Sequence, residues 1–135
     1  MNERQYMQKF KASLTAKGIW CYIIPDHDGF GNSPFDMFSV HKGVFAAWEG
    51  KLLKKPSAFG VYHMREHQIS SLTTIVNNGG KAFVPLFIDS EKVVVVFDWE
   101  MLVEHWAEHG SLKKKEIERY IEEVGIRLKK GIFKL

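Results

Sequence analysis

The chain has one cysteine, Cys21, so an internal disulfide is excluded. A lone thiol inside the apolar run IWCYII suits a reducing, cytoplasmic setting and reads as a small core residue. The N-terminal stretch MNERQYMQKFK has no apolar signal core, and no run is long enough to span a membrane. Neither charge sign dominates. The net charge is +3 with a pI near 8.9, which permits a polyanionic partner without demanding one. Internal repeats, low-complexity tracts and linkers are absent. So are a phosphate-cradling Gly-rich motif, a CxxC pair and a metalloprotease helix.

What is present is ordinary core material. The 135 residues are 45% apolar and 26% charged, with ten Phe, four Trp and four Tyr, enough for one domain with one core. Asn2 with Gln5 predicts a capped helix whose stripe is Tyr6, Met7, Phe10 and Leu14, ended by Gly18. Residues 19–24 predict a strand, and PDHDGFGNSP a loop. Residues 35–40 and 44–51 predict two strands around His41-Lys42-Gly43. Residues 54–61 predict a loop, and 64–78 a helix with Ile69, Leu72, Ile75 and Val76 inward. Strands at 81–88 and 92–97 follow. Asp98 can cap a short helix through residue 105, and Ser111 another over LKKKEIERYIEEV. The last ten residues carry no assignable pattern. One mixed sheet flanked by helices follows.

The stretch PFDMFSVHKGVFAAWEGK raises a question of charge, because Asp36, Glu49 and Lys51 interrupt an apolar hairpin. With Lys42-Gly43 as a two-residue turn, residue 41 pairs with 44, 38 with 47, and 36 with 49. Asp36 then faces Glu49, with Cβ atoms roughly 4.5–5.5 Å apart, and Lys51 projects from the same face as Glu49. Facing carboxylates repel unless one is protonated or a cation lies between them. Hard oxygen donors in this arrangement suit Mg²⁺. The same trio also fits a solvated strand end at which Lys51 neutralises the acids.

Asp, a hairpin-length gap and then Glu-x-Lys is the signature of the PD-(D/E)XK nuclease superfamily. Here it reads Pro34-Phe35-Asp36 and Glu49-Gly50-Lys51, with one extra residue between Pro and Asp. From Asp36 through Glu49-Gly50-Lys51, Phe59 and His67-Gln68-Ile69, the chain resembles the RecU-type Holliday junction resolvases without a gap. VYHMREHQISSL, GGKAFVPLFI, VVVVFDWEML and GSLKKKEIERY are similar too, so the resemblance covers residues 34 to about 116.

The resemblance implies an α/β, restriction-endonuclease-like fold with a central mixed sheet flanked by helices, and a single nuclease domain over 1–135. It implies an Mg²⁺-dependent endonuclease, with Mn²⁺ as a substitute, that cuts branched DNA in recombination and repair. Paired cuts on two strands imply a homodimer. Asp36 and Glu49 would hold the ion, with the Gly50 carbonyl as a third ligand. Lys51 would orient the attacking water and stabilise charge on the phosphate, and Gln68 would position Lys51 or the water. The family carries a long stalk before its catalytic Asp, where this chain has only DHDGFGNSP. That departure, with the compact size, suggests a minimal resolvase of phage type. It also leaves open a nuclease for flaps, ends or duplex, and a non-catalytic DNA-binding module on the same scaffold. The family further places an acid on its first helix. Glu3 is the only candidate here, its position matches poorly, and it is not counted with the site.

Other groups carry competing readings. Asp26-His27-Asp28 reads as a second metal cluster or as a turn bonding its own backbone. His63 and His67 read as a general base or as packing residues. Lys54, Lys55 and Arg65 are the candidate DNA contacts. Lys113, Lys114, Lys115, Arg127, Lys129, Lys130 and Lys134 are weaker ones, since charge runs are usually solvated faces. Trp20 and Trp48 are expected in the core.

Overall fold

Asn2 opens the first helix as the sequence requires. Its side chain accepts from the Gln5 amide at 2.9 Å, and the Gln5 side chain accepts from the Asn2 amide at 2.8 Å. Helix α1 (Glu3–Ala16) then buries Tyr6, Met7, Phe10 and Leu14. The computed structural model describes residues 1–25 and 33–135. Asp26, His27 and Asp28, read above as a second metal cluster, lie outside the described residues.

Strands β1 (Trp20–Ile23), β2 (Met37–His41) and β3 (Val44–Trp48) form an antiparallel meander. Lys42 and Gly43 turn the β2–β3 hairpin with φ of 49° and 79°, the left-handed pair that matches strand twist. His41 pairs with Val44, Phe38 with Ala47 and Met37 with Trp48, which is the expected register. The ladder continues one step further, where the Asp36 amide donates to the Trp48 carbonyl at 3.0 Å. Asp36 therefore lies beside Glu49.

The expected strand over 44–51 is interrupted. Glu49 and Gly50 leave strand geometry, and β4 (Lys51–Leu53) resumes beyond them. β3 and β4 both pair in parallel with β5 (Lys81–Ile88) at one constant register offset, so the line bends without slipping. The Glu49 amide still donates to the Phe83 carbonyl at 3.0 Å. Gly50 passes directly under α1. A Cβ there would sit 2.6 Å from Met7 Sδ and 3.2 Å from a Phe87 ring carbon. Gly50→Ala is therefore expected to cost about 1–3 kcal/mol by overpacking. Met7 can swing but the buried Phe87 cannot. Urea unfolding of the variant checks this, and a loss below about 0.5 kcal/mol would contradict it.

Helix α2 (Glu66–Asn77) begins two residues later than its pattern suggests, because Arg65 is extended and Gln68 caps it by accepting from the Arg65 amide at 2.9 Å. β6 (Val93–Asp98) pairs antiparallel with β5. Helix α3 (Trp99–His109), capped by Asp98, outruns the expected end at residue 105. Helix α4 (Lys114–Val124) starts from Lys113 rather than Ser111. Leu112 is fully buried and exchanges two backbone hydrogen bonds with Phe59, which holds this segment out of the helix. The C-terminal stretch is a hairpin, β7 (Ile126–Lys129) and β8 (Ile132–Phe133).

The strand order is β1-β2-β3-β5-β6-β7-β8, with β4 also on β5: a mixed sheet with helices on both faces. On one face α1 packs Tyr6 and Phe10 against Trp48, Phe87 and Phe133. On the other, Leu72, Trp99, Leu102 and Ile117 cover Val84, Leu86, Val95 and Phe97. Cys21 and Trp48 are buried as expected. Trp20 is not, for it stands 57% exposed on β1, the terminal strand of the sheet. Among the described residues, no helix is long and apolar enough to cross a membrane.

Candidate active site

The interruption at Glu49-Gly50 builds the site. Asp36 enters from the start of β2, Glu49 and Lys51 from either side of the bend, Gln68 from the first turn of α2, and Glu3 from the first turn of α1. Glu3, Asp36 and Glu49 offer carboxylate oxygens that all lie within 4.8 Å of one another. They line a cavity of about 470 Å³ with Lys51 and Gln68. Arg4, His63 and Arg65 complete its basic rim.

Asp36, Glu49, Lys51 and Gln68 are each oriented by a named partner. The Gly50 amide donates to Asp36 Oδ2 at 2.8 Å. Gln68 Nε2 donates to Glu49 Oε2 at 3.0 Å, while Gln68 Oε1 accepts from Lys51 Nζ at 2.9 Å and from the Arg65 amide. Turning the Gln68 amide over would set its NH₂ against two donors, so its direction is fixed by the network. Lys51 Nζ also lies 3.5 Å from Glu49 Oε2.

The acids are costly where they are. Glu49 is 1% exposed, and its Oε1 is buried with no hydrogen-bond partner. Burial pushes its carboxyl up to about 9, with the Asp36 and Glu3 charges adding to the rise and the nearby Lys51 ammonium opposing it. Glu3 is pushed up to about 7, again by burial first and by Asp36 second. Burial also raises Asp36, against the Gly50 amide and Lys51. Three carboxylates converging on one point, one with an orphaned oxygen, fit a hard divalent cation with oxygen donors.

The expected set of Asp36, Glu49, Lys51 and Gln68 is thus assembled in one place. Gly50 sits between two of its members, its amide spent on Asp36. Glu3 corrects the expectation from sequence, which places it outside the site, for it stands within it. Its signal is spacing. Glu3 heads the row continued by Met7, Phe10 and Leu14, so the buried stripe of α1 carries it inward. Arg4 was missed for lack of any local motif. Of the two histidines, His63 lines the cavity, with Nδ1 accepting from the Gly60 amide at 3.2 Å. His67 does not line it. Arg65 stands at the rim, whereas Lys54 and Lys55 are exposed just beyond β4 and outside the lining. The Lys113–Lys115 run and the basic tail residues also lie outside it.

A family model, Recombination protein U (RecU), matches residues 31–133. The chain belongs to the RecU family. Two curated relatives, both named Holliday junction resolvase RecU, align with it. The protein of Geobacillus sp. (strain WCH70) is 30% identical over 93 residues, covering 65% of this chain and 46% of that protein. The protein of Leuconostoc mesenteroides is 30% identical over 74 residues, covering 55% and 36%. The matched segments thus span less than half the length of these RecU relatives. A solved structure of Archaeoglobus fulgidus Hjc, titled a Holliday junction resolvase from an archaeal hyperthermophile, matches the fold at a TM-score of 0.59 and 18% identity. That match covers 86% of this chain and 92% of the other. The RecU match spans the Asp36 hairpin, Gln68 and the whole β5–β8 region, and stops short of the helix that carries Glu3.

Proposed function

We propose that the chain is a divalent-metal-dependent endodeoxyribonuclease that cuts branched DNA of the four-way type, acting as a homodimer in the cytoplasm. One observation carries this reading: Glu3, Asp36 and Glu49 converge within 4.8 Å in a cavity that also holds the Lys51–Gln68 pair. Hydrolysis of a phosphodiester needs an activated water and neutralisation of charge at phosphorus. A bound Mg²⁺ or Mn²⁺ would supply Lewis-acid polarisation and a water of lowered pKa.

This chain's residues do the rest. Asp36 is fixed through Oδ2 and Glu49 through Oε2, which leaves Oδ1, Oε1 and the Glu3 carboxylate to hold the ion. The Gly50 carbonyl is the further ligand that the family likeness supports. Lys51 has three ammonium hydrogens; Gln68 Oε1 and Glu49 Oε2 engage two of them. The third can meet a phosphate oxygen as negative charge develops there. Gln68 holds that ammonium in place and shields the Glu49 oxygen from turning. Arg4 and Arg65 at the rim suit the flanking phosphates.

A labelled panel of four-way junction, flap, end and duplex DNA, each with Mg²⁺, Ca²⁺ or EDTA, tests the reading. Junction cleavage is expected with Mg²⁺ alone, because Ca²⁺ prefers six to eight oxygen ligands and a looser geometry. Equal cutting of every substrate would replace the junction assignment with a general nuclease. One feature favours that second reading: only thirteen residues separate Ile23 from Met37, where the family likeness calls for a stalk. No cutting of any substrate under any metal would leave only a binding module. For the outer contacts, Lys54→Ala and Lys55→Ala are each expected to flatten the salt dependence of DNA binding by about one unit of log–log slope. Fluorescence titrations from 50 to 300 mM salt measure it, and an unchanged slope would remove that lysine from the interface.

A further inference from the structure

Gly60 makes room for an aromatic ring beside the acidic cavity. Its backbone is extended, with φ of −129° and ψ of 173°, which any residue adopts, so its missing side chain serves space rather than conformation. A Cβ on Gly60 would lie 2.8 Å from Tyr62 Cδ1 and closer still to Tyr62 Cε1. The Tyr62 ring therefore rests against the Gly60 backbone. It also lies against the His63 imidazole, 4.5 Å away centroid to centroid and tilted by 35°. Seated in this way, Tyr62 is still 69% exposed, and its neighbour Val61 is 50% exposed.

The seat is firm. Val61–His63 is a single 3₁₀ turn, in which the His63 amide donates to the Gly60 carbonyl at 3.0 Å and the Met64 amide to the Val61 carbonyl at 2.9 Å. Buried Phe59 and Met64 bracket the turn. Phe59 exchanges backbone hydrogen bonds with Leu112, and its carbonyl also accepts from Trp106 Nε1 at 3.1 Å. The ring thus needs little further ordering before it binds something, which is what preorganisation contributes to affinity. Its place matters as much. His63, Arg65 and Gln68, the residues that follow it, line the cavity of Glu3, Asp36 and Glu49, and Arg4 lines it from α1.

We propose that Tyr62, seated on Gly60 and His63, is a stacking platform for the nucleobase that flanks the cleaved phosphate, and that it selects a base whose face is open. This rests on the nuclease reading above and names a residue that sets its substrate. The surroundings decide the occupant. A nucleotide joins a flat π surface to an anion, and here a flat ring adjoins a cavity with arginines at its rim. An apolar protein partner would match the ring but not the cations beside it. Stacking on tyrosine is indifferent to sequence, because every base has a π-face, so the platform discriminates by DNA shape. Inside continuous duplex both faces of a base are already stacked, and extruding it costs about as much as the tyrosine returns. At a branch point a face is open from the start, so the full stacking energy adds to the affinity.

Cross-linking and binding, both in Ca²⁺ and neither dependent on cleavage, test the platform. A four-way junction carrying 5-iodouracil at its branch point is expected to cross-link to Tyr62 of the native chain on irradiation, as mapped by mass spectrometry. Tyr62→Ala is expected to lower junction affinity roughly 5- to 150-fold and to lower the ratio of junction to duplex affinity with it. Tyr62→Phe keeps the ring and should stay within about threefold of the native chain, whereas Tyr62→Leu keeps only apolar bulk and should fall with Tyr62→Ala. Gly60→Ala leaves the tyrosine but fills its seat, and should lose the cross-link. Native junction affinity in Tyr62→Ala would overturn the platform, and so would a cross-link that maps elsewhere. An equal loss on junction and duplex would make the ring a general contact, and native affinity in Tyr62→Leu would make it an apolar wedge; either overturns the proposal. Unchanged DNA binding with altered sedimentation in Tyr62→Ala would assign the ring to a protein partner instead. In each of these cases the nuclease reading stands, because it is decided separately by Asp36 and the metal. A native chain that binds no DNA at all is a distinct result that defeats both.

Discussion

Asp36→Asn is expected to lose at least ~10³-fold in the rate of DNA cleavage with Mg²⁺ while keeping its fold and its affinity for DNA within about threefold. The substitution keeps an oxygen where Asp36 Oδ2 accepts from the Gly50 amide at 2.8 Å, so the bend at residues 49–50 retains its local bond. It removes one of three negative charges from a cluster whose oxygens lie within 4.8 Å. Charge stabilisation at such sites is worth several kcal/mol, and each 1.36 kcal/mol is about tenfold in rate. DNA affinity is expected to hold because the cavity-lining cations proposed to meet the flanking phosphates, Arg4 and Arg65, are not touched by this change. Removing an acid from beneath a phosphate could even tighten binding. Single-turnover cleavage of a labelled junction, with binding measured in parallel in Ca²⁺, separates the two effects. A variant that cuts within tenfold of the native rate would take Asp36 out of the chemistry.

How far the sequence carried this site depended on how local each signal was. The hairpin from Asp36 to Glu49 is readable because Lys42-Gly43 fixes the register, and register alone decides which side chains face one another. Lys51 and Gln68 followed from the Glu-Gly-Lys and His-Gln-Ile segments. Glu3 was harder. Its place depends on where α1 docks, and docking is set by Phe10, Tyr6 and Met7 meeting Trp48, Phe87 and Phe133 from distant parts of the chain. Ser111 and Trp20 misled for the same reason in opposite senses. Ser111 is a good cap by type, but the bridge between Leu112 and Phe59 holds the chain out of the helix there. Trp20 is a core residue by type, but it stands on the terminal strand of the sheet and is more than half exposed. Local chemistry proposes caps and core residues, and long-range packing decides among them.

The metal-free protein is expected to lose stability as pH rises from about 5 to 9, which is the reverse of a chain held by ion-paired carboxylates. The sign follows from Glu49 and Glu3. Their folded values are raised to about 9 and about 7 from an ordinary 4.5, by burial first and by neighbouring carboxylate charge second. In that window the folded state binds more protons than the unfolded one, so stability falls with pH. Their contribution is fully present below about pH 4.5 and is lost as pH passes through 7 and then 9. Glu49 dominates because it is almost wholly shielded from water. Together the loss should be on the order of a few kcal/mol, or roughly 10 °C in melting temperature for a domain of this size. Asp36, also raised by burial, adds to the same fall, and the remaining displaced groups act elsewhere. Asp89 is lowered by its bonds to Lys92 and Tyr6 and acts only in acid, and Tyr6 is raised and acts only above pH 10. Two results should accompany the fall. Under the proposed function Mg²⁺ would bind the ionised acids, so it should flatten the curve and stabilise most at pH 8–9. Glu49→Gln should remove most of the fall in EDTA, melt above the native protein at pH 9, and lose the gain from Mg²⁺. Thermal melts at pH 5, 7 and 9, with EDTA or Mg²⁺, give all three readings. A melting temperature in EDTA that climbs towards pH 9 would mean that the three acids are solvated and ionised without an ion, which would remove the physical ground for a metal between them.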